Sequence, residues 1–547
     1  MRGVMILTPA TLLAKIIGLF YKIPLLLIVG VEGMAYFLSA YHVYSLLFVL
    51  SAAGLPSALS LLVSRHVASG SKGAVGRIFG VSLAVFLLFG CVGTATLCLF
   101  AKEIAAGLSM REAAFSLMAI APALMLSAFT GAVRGLFQGH HNMVPTAVSE
   151  VIEAVGKLLF GITLAYFAKS RGVSVAGVAA AAVFGITLGV LLSALYLALC
   201  LLAARKTLFS PPLSAMPSRR ALLREILRVA FPVTVSASVM SLVSLVDTAL
   251  ISSRLQAGGF APGIANAMYS SYGNLAVPLY NLVPALLAPI TLSLTPTLTA
   301  AFAAGDEEGV RDAFAGALRL TSLIALPAAL GLSVFSRPIL SLLYAGQDAA
   351  VGVAAPLLSV LAPAIFPAVL IALTSAALQA ANKASVPVWS SFTGAVVKLL
   401  LQAPLLTCAD INIMGAPIST LACNVTVLAI NMAVLSRTVS LRTVPIGTLM
   451  RPLAAALLAV LGGGIGYFCM LHRLGQRSWQ MPLVLLFVVL FYGLLALRFG
   501  AVDVEDIEEL PCGSVICRVL EKCNVLREVK KRDKRRKITV DLRKKRI

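Results

Sequence analysis

The sequence predicts an all-α integral membrane protein with 14 transmembrane helices, built as two pseudo-symmetric six-helix lobes followed by two C-terminal helices. Three observations carry this expectation. Of 547 residues, 59% are hydrophobic and 12% charged, and the mean hydropathy of +0.97 is far above that of ordinary soluble domains. Apolar runs of about 20 residues, the length that crosses the hydrocarbon layer, start near residues 6, 36, 78, 113, 147, 176, 229, 272, 315, 353, 386, 413, 449 and 481. Third, the second half of the chain repeats motifs of the first.

The first run carries Lys15 and Lys22 and has no small-residue cleavage site behind a short apolar core, so it reads as a span and not as a removable signal peptide. The two lysines lie seven residues apart, two turns on one face and about 10 Å along the axis. Such a stripe of compact ammonium charges suits phosphate. Between the fourth and fifth runs, His140 and His141 lack companions at metal-ligand spacing, so a loop role is expected for them. The fifth run opens with Glu150, Glu153 and Lys157 on one face, and Glu153 to Lys157 has the i,i+4 spacing of a favourable ion pair.

Residues 205–228 are polar, rich in arginine and contain Pro211, Pro212 and Pro217, which marks a linker between lobes. In the seventh run Asp247 lies deep, with Arg254 two turns on. The eighth holds Pro278, Pro284, Pro289 and Pro296, as expected of a kinked or broken helix beside a cavity. Arg319 is placed to snorkel to an interface, and Lys398 lies inside the eleventh run. A charge near mid-membrane costs roughly 2.5 to 3.5 kcal/mol on insertion scales, so these residues should face a partner or a wet cavity. The expected organisation is residues 1–204 as the N-lobe, 205–228 as a basic cytoplasmic linker, 229–437 as the C-lobe, 438–500 as the last two spans and 501–547 as a basic cytoplasmic tail. That tail carries twelve Lys/Arg against three acids over residues 527–547, as for a solvated segment lying against anionic lipid.

The repeat is visible in "LFQGHHNMVPTAVSEVIEAVGKLLF" and "ALQAANKASVPVWSSFTGAVVKLLL", which align Gln138 with Gln379, Pro145 with Pro387 and Lys157 with Lys398. "GLPSALS" from Gly54 likewise matches "LAPITLS" from Leu287. Paired lobes usually bind cargo between them and rock to alternate access. With the N-terminus inside, the cytoplasmic loops collect seventeen Lys/Arg, Arg134 among them, and the outer loops eight; this excess places both termini in the cytoplasm. The formal charge of +22 is therefore a membrane pattern, and nucleic acid is not expected as a partner. Nine cysteines stand singly with no CxxC pair, so neither a zinc site nor a disulfide framework is expected.

No GxxxxGK[ST], HExxH or GxSxG motif is present, which argues for transport over catalysis. The candidate cavity residues are Lys15, Lys22, Asp247 and Arg254, with Glu150, Glu153, Lys157 and Lys398 as cavity or structural charge pairs. No catalytic residue, metal ligand or cofactor is expected. Energy would come from an ion gradient, the membrane potential or consumption of the product.

Several stretches, "LTPATLLAKIIGLFYKIPLLLIVGVEGMAYF", "AAGLPSALSLLVSRHVASG", "RGLFQGHHNMVPTAVSEVIEAVGK", "VDTALISSRLQAGG" and "LQAANKASVP", resemble the stage V sporulation protein B group of polysaccharide transporters. That group sits with the MurJ-type lipid flippases in the multidrug/oligosaccharidyl-lipid/polysaccharide exporter superfamily. The resemblance covers about residues 5 to 500. It implies a fourteen-helix alternating-access flippase in the bacterial cytoplasmic membrane, moving an undecaprenyl-diphosphate-linked precursor such as lipid II from the inner to the outer leaflet. It also implies a cationic cavity, in which Lys15 takes the place of the family's first-span arginine and Lys22 lies near the second. The second span has no arginine before Arg65, and the eighth has no basic residue. A monomer is implied, with cell-wall glycosyltransferases as candidate partners. Export of another lipid-linked polysaccharide unit and a drug/cation antiport, for which Asp247, Glu150 and Glu153 would serve, are the alternatives.

Overall fold

The computed structural model describes residues 2–50, 54–68, 74–209, 218–408, 410–438, 447–474 and 479–501. All regular elements among them are helical. The linker residues 210–217, which hold Pro211, Pro212 and Pro217, and the basic tail beyond residue 501 lie outside the described residues.

Helix α1 (Arg2–Phe48) takes up two of the expected runs. Its apolar stretch Pro9–Phe48 has 40 residues, about 60 Å if straight and twice the hydrocarbon thickness. It bends at Gly30, whose φ of 79° and ψ of 166° only a residue without Cβ adopts readily. The bend divides the stretch into two lengths, each about that of a crossing. Next come α2 (Leu55–Ala68), α3 (Val75–Leu99), α4 (Ala101–Gly107), α5 (Ala113–Gly139), α6 (Val144–Ser170), α7 (Val175–Leu208), α8 (Arg219–Ala257) and α9 (Pro262–Ser270). The chain goes on through α10 (Val277–Ala303), α11 (Glu307–Val334), α12 (Ser336–Leu343), α13 (Asp348–Leu361), α14 (Ile365–Ala380), α15 (Ser385–Thr407), α16 (Gly415–Thr438), α17 (Gly447–Leu474) and α18 (Gln480–Phe499).

Among the described residues, 12 helical stretches are long and apolar enough to cross a membrane, where fourteen runs were expected. The difference lies at α1, where two runs share one helix, and at α8. The latter spans the seventh run and is not counted among the twelve, since the side chains at 232–233, 235–237 and 239–240 lie outside the described residues.

Two compact units are formed. The first comprises Met1–Pro278, Gln347–Ala354 and Lys398–Ser419; the second comprises Leu279–Gly346, Ala355–Val397 and Thr420–Ile547. The first unit runs past the expected linker because α8 packs on α1, α2, α3 and α9. Its core includes Leu59, Leu62, Phe86, Leu136 and Ile226. Within it, α6 and α7 approach to backbone contact through glycines: a Cβ on Gly189 would lie 2.6 Å from the Lys157 nitrogen and 2.8 Å from the Glu153 oxygen. Small residues permit such approach in membrane helices, and here it fixes the helix that carries the acidic stripe. In the second unit, Phe314, Ile365, Leu373 and Leu435 form the main core. Asn431 there donates to Thr374 and Ser375 at 3.3 Å each and accepts from Ser390 at 2.7 Å.

The eighth run breaks ahead of its internal prolines. Ser271–Ala276 form a buried π-helical turn between α9 and α10, while α10 continues through Pro284, Pro289 and Pro296. Pro278 has no N–H for the Asn274 carbonyl, which favours a widened turn there. The turns that close α5 and α14 share one geometry. His141 (φ 57°) and Asn382 (φ 58°) are both left-handed. The Asn142 N–H donates to Phe137 (3.0 Å) and Lys383 to Leu378 (2.8 Å), while His141 donates to Gln138 (2.9 Å) and Asn382 to Gln379 (3.1 Å). Both are six-residue caps that satisfy the last carbonyls of a helix.

Candidate functional site

Two groups of charged side chains come together in the first unit. One lines a cavity of about 360 Å³ bounded by Tyr41, Tyr44, Arg134, Glu150, Glu153 and Lys157. Its hub is Arg134, on α5, whose side chain is 19% exposed. The guanidinium Nη2 donates to Glu153 Oε2 (3.0 Å) and Ser193 Oγ (3.1 Å), and Nε donates to Ser149 Oγ (2.9 Å). Glu150 Oε2 accepts from Thr11 Oγ1 at 2.7 Å. The Tyr44 hydroxyl lies 2.8 Å from Ser127 Oγ. A fork-shaped cation that reaches three partners on two neighbouring helices is held in one orientation.

This arrangement corrects the expected pairing of Glu153. Its ion-pair partner is Arg134, 19 residues earlier, and not Lys157; no ion pair of Lys157 is found among the described residues. The rigid fork of an arginine, anchored by two serines, holds the carboxylate better than a flexible lysine on the same helix. The basic-loop count puts Arg134 in a cytoplasmic loop, but α5 continues to Gly139 and carries it into the cavity wall. Its presence in the last turns of an apolar run was the available signal. The positive-inside excess survives its removal.

The second group joins α8 and α15. Lys398 Nζ donates to Asp247 Oδ2 in an ion pair whose side chains are 10% and 17% exposed. Asp247 Oδ1 is buried and has no hydrogen-bond partner among the described residues. Beside the pair, Thr248 Oγ1 lies 2.7 Å from His42 Nδ1 and 2.9 Å from the Tyr269 hydroxyl, which is itself 3.3 Å from His42. Sequence reasoning placed Asp247 and Lys398 in the membrane but did not pair them, and it passed over His42, Tyr41 and Tyr269.

The remaining expected residues are less committed. Lys22 is half-buried on α1. Lys15 falls within α1, and its side chain lies outside the described residues. Arg254 is exposed in the last turn of α8, where a cation complements the helix dipole. His140 is the C-cap of α5, with Nδ1 3.0 Å from the Leu136 carbonyl, which makes it part of the helix end.

A cavity with two carboxylates, two cations and two tyrosines can hydrogen-bond a polar head group and meet either sign of charge. In a low-dielectric setting such groups act strongly on whatever enters.

Among known proteins, the profile of the polysaccharide biosynthesis protein family matches residues 1–302, and the MatE profile matches residues 267–403. The chain is 25% identical over 420 residues to the lipid II flippase MurJ of Bacillus subtilis (strain 168), covering 74% of this chain and 77% of that one. It is 26% identical over 422 residues to stage V sporulation protein B of the same organism, covering 77% and 80%. Among solved structures, an inward closed conformation of a lipid II flippase MurJ superposes with a TM-score of 0.69 at 14% identity, over 90% of this chain and 98% of that one.

Proposed function

The chain belongs to the polysaccharide biosynthesis protein family, within the superfamily of MurJ-type flippases and MATE transporters, and on that premise we propose that it flips an undecaprenyl-diphosphate-linked cell-wall precursor, lipid II or a close analogue. Transport runs from the inner to the outer leaflet by alternating access of two lobes. Fourteen crossings, both termini in the cytoplasm and an appended pair of final helices complete this reading. The observation that carries it is the cavity around Arg134, where a membrane-embedded unit holds cations, carboxylates and tyrosines for a highly polar head group. Lys15 and Lys22 supply further positive charge on α1 for the diphosphate, while the prenyl tail stays in lipid. Asp247, paired with Lys398, is the candidate for coupling to an ion gradient or the membrane potential. The protein works as a monomer, with cell-wall glycosyltransferases as its neighbours.

Rescue of a strain depleted of its lipid II flippase is the direct test. The wild-type chain should restore growth, and Lys15→Ala should fail while leaving the amount of folded protein unchanged. No rescue at good expression would remove the lipid II reading. A drug/cation antiport is the second reading, favoured by Glu150 and Glu153 in the cavity wall and by the MatE match. Increased resistance to cationic drugs without rescue would establish it in place of the first.

A further inference from the structure

Lys157 is the fourteenth of the 27 residues of α6 and so stands at its midpoint. Each end of the helix is about 20 Å away at 1.5 Å per residue, beyond the reach of a lysine that snorkels to an interface. A cation at that depth costs roughly 2.5 to 3.5 kcal/mol on insertion scales, so a partner or a wet cavity must receive it. Lys157 is half-buried and lines the cavity of about 360 Å³.

Among the described residues Lys157 has neither a hydrogen bond nor an ion pair. Glu153, one turn earlier, is held by Arg134. Glu150, two turns earlier and about 10 Å along the axis, accepts from Thr11. The helices packed on α6 are α1, α5 and α7. Of these, α5 and α7 contain no acidic residue, and the single acid of α1 is Glu32, beyond the bend at Gly30. Lys398, which aligns with Lys157 in the sequence repeat, also lies deep in its helix but is paired with Asp247 from α8. The two lysines thus differ in the source of their counter-charge: Lys398 takes it from the chain, and Lys157 faces a cavity.

On the flippase reading, we propose that Lys157 receives the diphosphate of the lipid-linked cargo. Its ammonium is a compact charge with three donors on a flexible stem, and it donates to the phosphate oxygens; the counter-charge at mid-helix is then supplied by the cargo. Arg134 cannot take this part, because its guanidinium is engaged by Glu153, Ser149 and Ser193. The cavity therefore tells a diphosphate-linked prenyl chain from the uncharged prenyl alcohol at Lys157.

The test uses the full chain in neutral detergent, with undecaprenyl diphosphate, undecaprenol and inorganic diphosphate as probes. Binding is read by native mass spectrometry and folding by thermal unfolding. The wild type should bind undecaprenyl diphosphate over undecaprenol by at least about tenfold, the factor one charge-assisted hydrogen bond can confer. Lys157→Gln should lose about tenfold in affinity for the diphosphate and keep its affinity for undecaprenol. It should unfold at the wild-type temperature or above, since it breaks no bond within the protein. Lys157→Arg should keep more of the preference than Lys157→Gln, and Lys102→Gln, at an exposed position of α4, should match the wild type. An undiminished preference in Lys157→Gln, or an equal loss in Lys102→Gln, would overturn the proposal and leave the flippase reading standing. A lowered unfolding temperature in Lys157→Gln would also overturn it, by making the lysine structural. Inorganic diphosphate bound as tightly as the lipid would assign the site to a soluble anion and overturn it too. A wild type without any preference would count against a diphosphate-linked cargo altogether, and both readings would fall.

Discussion

At Arg134 three hydrogen bonds converge, two from Nη2 to Glu153 and Ser193 and one from Nε to Ser149. Arg134→Gln leaves Glu153 in the cavity wall without its cation, and stability should fall by about 1–3 kcal/mol. Arg134→Lys keeps the charge but not the fork, so thermal unfolding should place it between the wild type and the glutamine variant; equality with wild type would remove the serines from the account. The same logic applies at Asp247 and Lys398, which are more buried. Lys398→Met alone strands a carboxylate and should cost about 3–5 kcal/mol, whereas the double variant Asp247→Leu, Lys398→Met should recover most of that. If the pair takes part in coupling, the double variant folds and does not transport. Transport at the wild-type rate would assign the pair to folding alone. At this scale the sequence was informative about which residues are costly in lipid and silent about their partners. Asp247 and Lys398 are 151 positions apart, and no local periodicity reports a contact of that range.

Among elements, α6 and α7 show how a site is held in place by residues that never touch a ligand. Gly189 lets the α7 backbone lie against the α6 backbone at Glu153 and Lys157. Gly189→Leu should push the two helices apart, costing about 1–3 kcal/mol and displacing the carboxylate that Arg134 holds. A lowered unfolding temperature together with loss of transport is the expected result, and retention of both would show that α6 can shift without consequence. The repeated turn was legible from sequence because its signal is local: a Gln followed three residues later by a left-handed residue, His141 or Asn382, closes both helices. The helices on either side of the turn differ in their polar residues. At the repeat offset of Gln138 and Gln379, Arg134 corresponds to Ser375 and Glu153 to Gly394. The second unit builds a neutral network there around Asn431, and the first builds a charged one. The repeat therefore preserved the helix ends and diverged in what lies between them.

For the whole molecule, topology is the quantity to measure. In a cysteine-free background, Ser170→Cys should react with a membrane-impermeant maleimide from outside and Asp306→Cys only after permeabilisation. The reverse pattern would invert the orientation drawn from the basic loops. Composition and run length by themselves determined that this chain is an all-helical membrane protein, because the hydrocarbon layer imposes a length and a polarity on every segment that crosses it. They also determined that the chain repeats itself, and which side chains are too costly to face lipid. Only the tertiary structure decided that α1 bends at Gly30 to hold two runs, that α8 belongs with the first unit, and that Arg134 and not Lys157 neutralises Glu153. The physical reason is range. Hydropathy and capping act within a few turns of one helix, whereas ion pairing and backbone approach depend on which distant helices become neighbours.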